Sequence, residues 1–388
     1  MFYMGKEEIE AVARVVREGT PFRYGKNNNS ECDRFERRYA KHLGVKHVSL
    51  TASGTLALRA ALVGVGVGPG DEVLVPACTY MATPLAVLAV GAIPVVVDID
   101  ESICLDPKAM EKAIGPCTKA VIPVHIWGLP CDMNAIMRIA RKHKLFVVED
   151  ACQGVGGGYE GKMLGAIGHA GAFSFNYYKN MSCGEGGAVA ANDDTVMWRA
   201  RMVNECCRFY WDGRDPSKDI FCSDGARSSE FAGAILNAQL TRLEPWIRAM
   251  RRQKKRILRE TAGTGLTPIR ANSLDHECGT HVMYILPTAE AATQFKKLTG
   301  GVIAGQTGRH VYTEWDPVLQ HKGAHHPALN PYLMKENRRC RKRYSPRMCA
   351  KSLDILNRTV MLRTNPLSKA GGVSALIRKI RNAAKAVL

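Results

Sequence analysis

Residues 171–191 read GAFSFNYYKNMSCGEGGAVAA and contain the pattern from which the fold is best inferred. The apolar run that begins at Ala172 predicts a strand, and a second apolar run over 188–191 predicts another. Between them, Lys179 lies on a loop that ends in the glycine-rich segment 184–187. The stretch therefore places one lysine just beyond the end of a buried strand.

A lysine in this position, beside aromatic residues and near Ser174, suits covalent chemistry. Its amine can form a Schiff base with a carbonyl cofactor. The alternative is an exposed lysine in a hairpin, since lysine side chains are almost never fully buried. Other parts of a cofactor site, found elsewhere in the chain, must decide between the two.

The chain has 388 residues, of which 46% are hydrophobic and 23% charged. This length is sufficient for a large core and predicts two domains. No run approaches the about eighteen consecutive apolar residues of a membrane span, and the opening MFYMGKEEIE lacks the basic and apolar parts of a signal peptide. These features predict a cytoplasmic protein with no membrane partner.

Thirteen cysteines are scattered along the chain, and no two are spaced Cys-x-x-Cys. The adjacent Cys206 and Cys207 suit neither an ordinary disulfide nor zinc-ligand spacing, so we expect reduced thiols. His321, His325 and His326 share a loop without carboxylates at ligand spacing. We therefore predict no metal site.

Lys and Arg number 54 against 36 Asp and Glu, a net charge of +18. Much of the excess lies in two late runs, residues 251–256 and 335–343. Such runs can be solvated helix faces, a nucleic-acid patch or a field that attracts anionic substrates. Because no nucleic-acid-binding module accompanies them, we predict no nucleic-acid partner and expect the charge to favour acidic small molecules.

Three regions follow from the hydrophobic pattern. Apolar residues recur at helical spacing over 5–18 and 30–43, which predicts an N-terminal helical arm at 1–45. Residues 46–245 are predicted to form a large domain, and residues 246–388 a smaller α/β domain.

From residue 46, short β-branched runs alternate with helical segments. The predicted strands are 47–50, 71–76, 93–97, 120–124 and 145–148. This alternation predicts an α/β fold with a mostly parallel central sheet covered by helices. Ligands of such sheets bind at the carboxyl ends of the strands.

Several candidate ligand contacts lie at these strand ends. Ser53, Gly54 and Thr55 form a turn before a helix, whose free N–H groups suit a phosphate. Tyr80 can stack on a flat heteroaromatic ring, and Asp150 can keep a pyridinium nitrogen protonated. Each has an ordinary alternative as a helix cap, a packing residue or a turn residue.

Four segments carry a family resemblance: VLVPACTYMATPLAVLAVGAIPVVVDID at 73–100, VIPVHIWGLPCDM at 121–133, VVEDACQGVGGGYEGKMLGAIG at 147–168 and FSFNYYKNMSCGEGGAV at 173–189. In this order they resemble the DegT/DnrJ/EryC1/StrS sugar aminotransferases. The resemblance implies the fold-type-I architecture of enzymes that depend on pyridoxal 5'-phosphate (PLP), which is the aspartate aminotransferase-like fold.

The resemblance also implies a role for each matching residue in binding PLP. Lys179 would be the Schiff-base lysine, Asp150 the partner of the pyridine nitrogen, Tyr80 the stacking ring, Gln153 the contact to the 3-hydroxyl, and Ser174 with the Gly54–Thr55 backbone the phosphate site. Relatives with histidine in place of the lysine run a dehydration. The presence of Lys179 favours amination.

One motif departs from the family. The pattern G-x-N-x-R-x-S-E, whose Asn and Arg reach the neighbouring subunit's phosphate, reads SDGARSSE at 223–230. Arg227 and Glu230 match, but Gly225 stands at the Asn position. We therefore expect Arg227 to make more of the contact to the neighbouring subunit's phosphate. The resemblance also implies a homodimer with shared active sites.

The resemblance places substrate contacts in the segment 308–316. His310, Tyr312 and Trp315 are the expected contacts, with a structural loop as the alternative. The implied reaction is a ping-pong transamination from an amino acid donor, expected to be L-glutamate, to a keto- or aldehydo-sugar. Lys179 would move the proton.

The acceptor stays open at the level of sequence. Phe22-Arg23-Tyr24 and the segments at 150–153 and 310–315 are similar to enzymes that form 8-amino-3,8-dideoxy-octulosonate. A nucleotide-linked 3-keto or 4-keto hexose and a cyclitol ketone are the alternatives. A PLP-binding regulatory protein without turnover is a further reading, which the complete set of site residues disfavours.

Overall fold

The computed structural model describes residues 3–25 and 29–388. This part of the chain contains thirteen α-helices: α1 (Lys6–Arg17), α2 (Glu31–Leu43), α3 (Gly54–Gly64), α4 (Ala82–Ala89), α5 (Pro107–Ala113), α6 (Met133–Lys142), α7 (Asp194–Asn204), α8 (Arg208–Trp211), α9 (Glu230–Thr261), α10 (Ala289–Thr299), α11 (Asp316–Leu319), α12 (Ala350–Arg358) and α13 (Ala370–Val387). None of the helices described is long and apolar enough to cross a membrane.

The strands form three sheets: β1 (His47–Thr51), β2 (Glu72–Pro76), β3 (Ile93–Val97), β4 (Thr118–Val121), β5 (Phe146–Asp150), β6 (Gly158–Tyr159), β7 (Lys162–Met163), β8 (Ala170–Ser174), β9 (Gly187–Ala191), β10 (Thr267–Pro268), β11 (His281–Ile285), β12 (Val302–Ile303) and β13 (Thr359–Arg363). The central sheet has the order β1-β9-β8-β5-β4-β2-β3, the smaller sheet has the order β10-β11-β13-β12, and β6 pairs with β7.

The central sheet is mostly parallel, as predicted. Strands β3, β2, β4, β5 and β8 run parallel to one another, whereas β9 pairs antiparallel with both β8 and β1. Strand β4 ends at Val121, three residues before its predicted end. Two residues on, Pro123 has no N–H to donate to a strand ladder.

The predicted N-terminal arm is only partly a separate element. Phe35 and Tyr39 on α2 are fully buried and belong to the core of the central sheet. Their rings pack edge-on against β8 and the residue after it, with centroids 5.5 Å apart for Phe35 and Phe175 and 5.3 Å for Tyr39 and Phe173. Helix α2 therefore supports the strand that leads to Lys179.

Helix α9 joins the two cores of the molecule. Leu243 and Ile247 pack in the core of the central sheet, whereas Ile257, nearer the C-terminal end of the helix, packs in the core of the smaller sheet. The domain boundary predicted between residues 245 and 246 falls inside this unbroken helix. The smaller sheet is antiparallel throughout and packs with α10 and α13.

Candidate active site

Asp150 is the last residue of β5 and is buried, with 4% of its surface exposed. One carboxylate oxygen, Oδ2, accepts a hydrogen bond from the Thr83 hydroxyl at 2.7 Å. The other, Oδ1, accepts one from the Cys152 N–H at 3.1 Å. The carboxylate is therefore fixed at the carboxyl end of a parallel strand, where ligands of such sheets bind.

Lys179 follows the neighbouring strand β8. Its N–H donates to the Asn176 carbonyl at 3.0 Å, and the loop closes where the Tyr177 N–H donates to Gly184 O at 2.9 Å. Gly184 has φ +91°, a conformation that favours glycine. Within residues 3–25 and 29–388, the half-buried side chain of Lys179 makes no hydrogen bond or ion pair.

The positive charge of Lys179 influences two other side chains of the site. Burial lowers the pKa of His310, and the positive charges of Lys179 and Arg309 lower it further. Burial raises the pKa of the Cys152 thiol well above its ordinary value, and Lys179 partly opposes this shift.

The turn before α3 forms what we call the phosphate end of the site. Ser53 caps the helix by accepting a hydrogen bond from the Leu56 N–H at 3.2 Å. The backbone N–H groups of Gly54 and Thr55 have no acceptor in the part of the chain that is described. A Cβ on Gly54 would lie 2.7 Å from the Cβ of Ser174, so only glycine allows α3 to approach β8 this closely.

Asp150, Thr83 and Gln153 form what we call the ring end of the site. The Gln153 side-chain oxygen accepts a hydrogen bond from the Trp127 N–H at 3.0 Å, which leaves its amide N–H groups as donors. Trp127 has a left-handed backbone, with φ +48°, and its carbonyl accepts a hydrogen bond from the Thr280 hydroxyl. Such conformations cluster at functional sites.

Three aromatic rings form one wall beside these residues. The His310 ring lies between the rings of Tyr80 and Trp127, with both centroid distances at 5.7 Å. The Arg309 guanidinium lies 5.5 Å from the Tyr80 ring centroid. Backbone bonds from Thr79 N–H to His310 O at 2.9 Å and from Met81 N–H to Arg309 O at 3.0 Å hold the wall together.

The structure corrects the prediction that Tyr312 and Trp315 contact the substrate. Both side chains are fully buried in the main core. The Tyr312 hydroxyl donates to Pro346 O at 2.6 Å, and the Trp315 indole N–H donates to Arg309 O at 3.3 Å. Their polar groups are thus used to shape the loop that presents His310, which is itself partly exposed.

Arg227 does not join the other predicted residues. Its guanidinium forms an ion pair with Glu205 at 3.0 Å and lies 5.5 Å from the Phe22 ring centroid. Its side chain is 44% exposed. A Cβ on Gly225 would meet nothing of the described chain within 4 Å, so packing does not impose glycine at the position where the family has Asn.

Sequence reasoning missed three residues that shape the site: Thr79, Thr83 and Trp127. Thr79 and Thr83 are four residues apart, a spacing that puts two side chains on one face where the chain turns helically. That spacing beside Tyr80 was an available signal. The sequence does not predict the left-handed backbone conformation of Trp127, because tryptophan does not favour that conformation.

The fold is that of a fold-type-I PLP-dependent aminotransferase, and the architecture predicted from sequence is confirmed. The 3-amino-5-hydroxybenzoic acid synthase structure superposes with a TM-score of 0.79 at 27% identity, covering 99% of this chain and 97% of that one. An aminotransferase structure from Brucella abortus gives 0.76 at 27% identity, covering 97% and 95%.

The chain belongs to the DegT/DnrJ/EryC1/StrS aminotransferase family, which it matches over residues 3–332. It is 40% identical over 222 residues to GDP-perosamine synthase of Caulobacter vibrioides, covering 56% of this chain and 58% of that protein. It is 40% identical over 242 residues to dTDP-3-amino-3,4,6-trideoxy-alpha-D-glucose transaminase of Streptomyces venezuelae, covering 62% and 61%. The chain thus spans less than two thirds of these relatives' lengths.

The cofactor of this family is PLP, and a structural neighbour that is 28% identical, DesV of S. venezuelae, was solved in complex with a ketimine intermediate; it superposes with a TM-score of 0.75 and covers 98% of this chain and 94% of that one. The residues present here fit such a group. The free N–H groups of Gly54 and Thr55 suit a phosphate, the Asp150 carboxylate suits a pyridinium, and the unpaired Lys179 amine suits a carbonyl carbon.

Proposed function

We propose that this protein is an aminotransferase that moves an amino group from an amino acid to the keto group of a sugar. The observation that carries the proposal is one arrangement within a single chain: the unpaired Lys179 amine after β8, the fixed Asp150 carboxylate after β5, and the free N–H groups before α3. These are the three functions that a PLP-dependent transamination needs from its protein.

The bound cofactor supplies an electron sink that stabilises negative charge at the substrate carbon. Lys179 would hold the cofactor through its amine and would serve as the acid–base group that moves the proton. Asp150 would pair with a pyridinium nitrogen, and Gln153 would donate a hydrogen bond to a ring hydroxyl. Tyr80 would stack on the ring, and Ser174 would join the phosphate end.

We propose that the acceptor is anionic. Residues 246–388 contain 27 Lys and Arg against 8 Asp and Glu, whereas residues 1–245 contain 27 against 28. The small domain therefore carries a net +19 and the remainder a net −1. Such a field attracts anionic substrates, and Arg309 extends it to the Tyr80 ring.

Within the anionic acceptors, a nucleotide-linked keto-hexose is the first candidate, because the names of two relatives specify GDP- and dTDP-linked sugars. His310 is the proposed contact to its sugar ring, since its ring is partly exposed beside Tyr80 and Trp127. A keto-sugar acid such as an octulosonate has the same sign of charge. A cyclitol ketone, the type of substrate named for a relative that is 35% identical, has none.

The proposal also covers the amino donor and the assembly. L-glutamate is the proposed donor, and the name of one relative specifies L-glutamine. The exposed Arg227, which lies outside its own chain's site, supports a homodimer in which it reaches the partner's phosphate end.

The first experiment is a half-reaction followed by an acceptor screen. Purified protein with PLP is mixed with L-glutamate, and formation of 2-oxoglutarate is measured together with the change in cofactor absorbance. The aminated protein is then offered a GDP- or dTDP-linked keto-hexose, an octulosonate aldehyde and a scyllo-inosose. We expect turnover with the nucleotide-linked sugar. No absorbance change with glutamate or glutamine would contradict the aminotransferase assignment.

A further inference from the structure

A chain of two hydroxyl groups leads to Asp150 from the segment that carries Tyr80. The Thr83 hydroxyl donates to Asp150 Oδ2 at 2.7 Å, and the Thr79 and Thr83 hydroxyl oxygens are also 2.7 Å apart. Both threonines are fully buried. The three groups thus form a continuous hydrogen-bonded line in the interior of the site.

The direction of this line is fixed by chemistry. An ionised carboxylate only accepts hydrogen bonds, and a hydroxyl has one proton to donate. Thr83 therefore donates its proton to Asp150 and accepts a hydrogen bond from Thr79. The Thr79 hydroxyl has a second, longer contact to the Tyr80 carbonyl at 3.4 Å, so the 2.7 Å bond to Thr83 is the shorter of the two. Because β-branched side chains have few rotamers, both hydroxyls are held in these directions.

The Thr83 hydroxyl is not used for helix capping, the usual role of threonine at this place in a helix. Helix α4 begins at Ala82, its N-cap Met81 makes no side-chain capping bond, and Thr83 is in the first turn. A valine would fill the same volume. The hydroxyl therefore serves the carboxylate.

The line also reaches the aromatic wall. The Thr79 N–H donates to His310 O at 2.9 Å, and its hydroxyl starts the chain to Asp150. Thr79 is thus hydrogen-bonded both to the loop that carries His310 and to Thr83, which donates to the Asp150 carboxylate.

We propose that Thr83, oriented by Thr79, is a positioning residue that sets the direction and charge stabilisation of Asp150 toward the cofactor ring. The inference rests on the role proposed above for Asp150. Neither threonine touches the reacting atoms. Their effect is expected in how firmly the cofactor is held and in the pH dependence of its absorption, since hydrogen bonds to a charged acceptor are the strong ones.

The test compares Thr83→Val with Thr83→Ser, each as apoprotein titrated with PLP. We expect Thr83→Val to weaken cofactor binding by about tenfold or more and to shift the pH dependence of the bound cofactor's absorption. Thr83→Ser, which keeps the hydroxyl, is expected to remain within about twofold of wild type. Thermal unfolding of each apoprotein separates this effect from a loss of folding.

Asp150→Asn provides the reference for the interaction. Thr83→Val should add little in the Asp150→Asn background, because groups in one network are not additive. Unchanged PLP affinity and absorption in Thr83→Val, with weakened binding in Asp150→Asn, would overturn the positioning role and leave the role of Asp150 intact. Unchanged binding in both variants would overturn the proposed role of Asp150 and this inference with it.

Should Thr83→Val fail to fold, Thr79→Val tests the same line one step away. It removes the donor to Thr83 and leaves every group bonded to Asp150 in place. We expect a weakening of about two- to fivefold that Thr79→Ser reverses. Wild-type affinity in Thr79→Val would overturn the hydroxyl relay.

Discussion

At the ring end of the site, Asp150 is buried and both of its oxygens accept hydrogen bonds from the same chain, whereas Arg227, proposed for the phosphate end, is 44% exposed and paired with Glu205 outside the site. The ring end is complete within one chain. The phosphate end offers the N–H groups of Gly54 and Thr55 but no cation of its own chain among the predicted residues. In the proposed homodimer, the ring end would be built by folding of one chain and the phosphate end would be completed by the partner subunit.

This comparison also explains why the two ends tolerate change differently. When a buried carboxylate loses a hydrogen-bond partner, its charge is left unsatisfied, and the folded protein is destabilised. Arg227 is 44% exposed, but its partner Glu205 is buried, so Arg227→Ala also leaves a buried carboxylate without its cation. Substitutions at the ring end should therefore act within one chain, whereas those at Arg227 should act on the proposed partner's site and, through Glu205, on the stability of their own chain.

The largest effect is expected for Lys179→Ala, which removes the covalent and proton-carrying group shared by both ends. We expect the half-reaction with the amino donor to slow by at least about 10³-fold. Lys162→Ala, an exposed lysine on β7, is the matched control. Production of 2-oxoglutarate at the wild-type rate by Lys179→Ala would contradict the role of the lysine.

Arg227→Ala tests whether the phosphate end is completed by a partner. We expect PLP binding to weaken by about tenfold, the loss of one hydrogen-bonded charge contact. Arg199→Ala, which loses an exposed ion pair with Asp219, is the control.

Mixing Arg227→Ala with Lys179→Ala chains separates the two arrangements. If Arg227 serves the partner's site, each mixed dimer has one site with both residues intact, and activity returns on mixing. If Arg227 serves its own site, no mixed dimer has an intact site. Absence of recovery in a mixture shown to contain mixed dimers would refute the shared site.

Gly225→Asn restores the residue type of the family and should have a smaller effect. Because a Cβ there meets nothing of the described chain within 4 Å, the apoprotein's unfolding temperature should stay within about 2 °C of wild type. We expect PLP to bind equally or up to about threefold more tightly through one added amide contact. A clear loss of stability would show that the position requires glycine.

The parts of the site that sequence predicted are those carried by regular elements. Asp150 ends β5 and Lys179 follows β8, and both follow from strand periodicity and the parallel sheet. The residues that sequence misjudged depend on where loops pack. Tyr312 and Trp315 look like ligand contacts because they are aromatic and polar, yet their N–H and O–H groups are satisfied by backbone carbonyls inside the core.

Long-range contacts explain the remaining differences. Thr83 and Asp150 are 67 residues apart in the chain, so their bond depends on the tertiary packing that brings the first turn of α4 to the end of β5, and it has no local signature. The position of α9 across both cores likewise depends on long-range packing. Its apolar residues follow one helical pattern along the whole helix, so the sequence does not show which of them pack in which core.

The smallest expected effect concerns His310, whose ring lies near those of Tyr80 and Trp127. Its pKa is lowered by burial and by nearby positive charge, so at a pH somewhat below about 6.5 the unfolded chain binds a proton that the native imidazole does not. The free energy of unfolding should therefore fall as pH decreases below about 6.5, and His310→Asn should remove this component. Chemical denaturation of both proteins across pH 5 to 8, buffered at constant ionic strength, measures the difference directly. Parallel curves for the two proteins would mean that His310 accepts its proton as readily in the native state, and that the positive charge of Lys179 is not felt there.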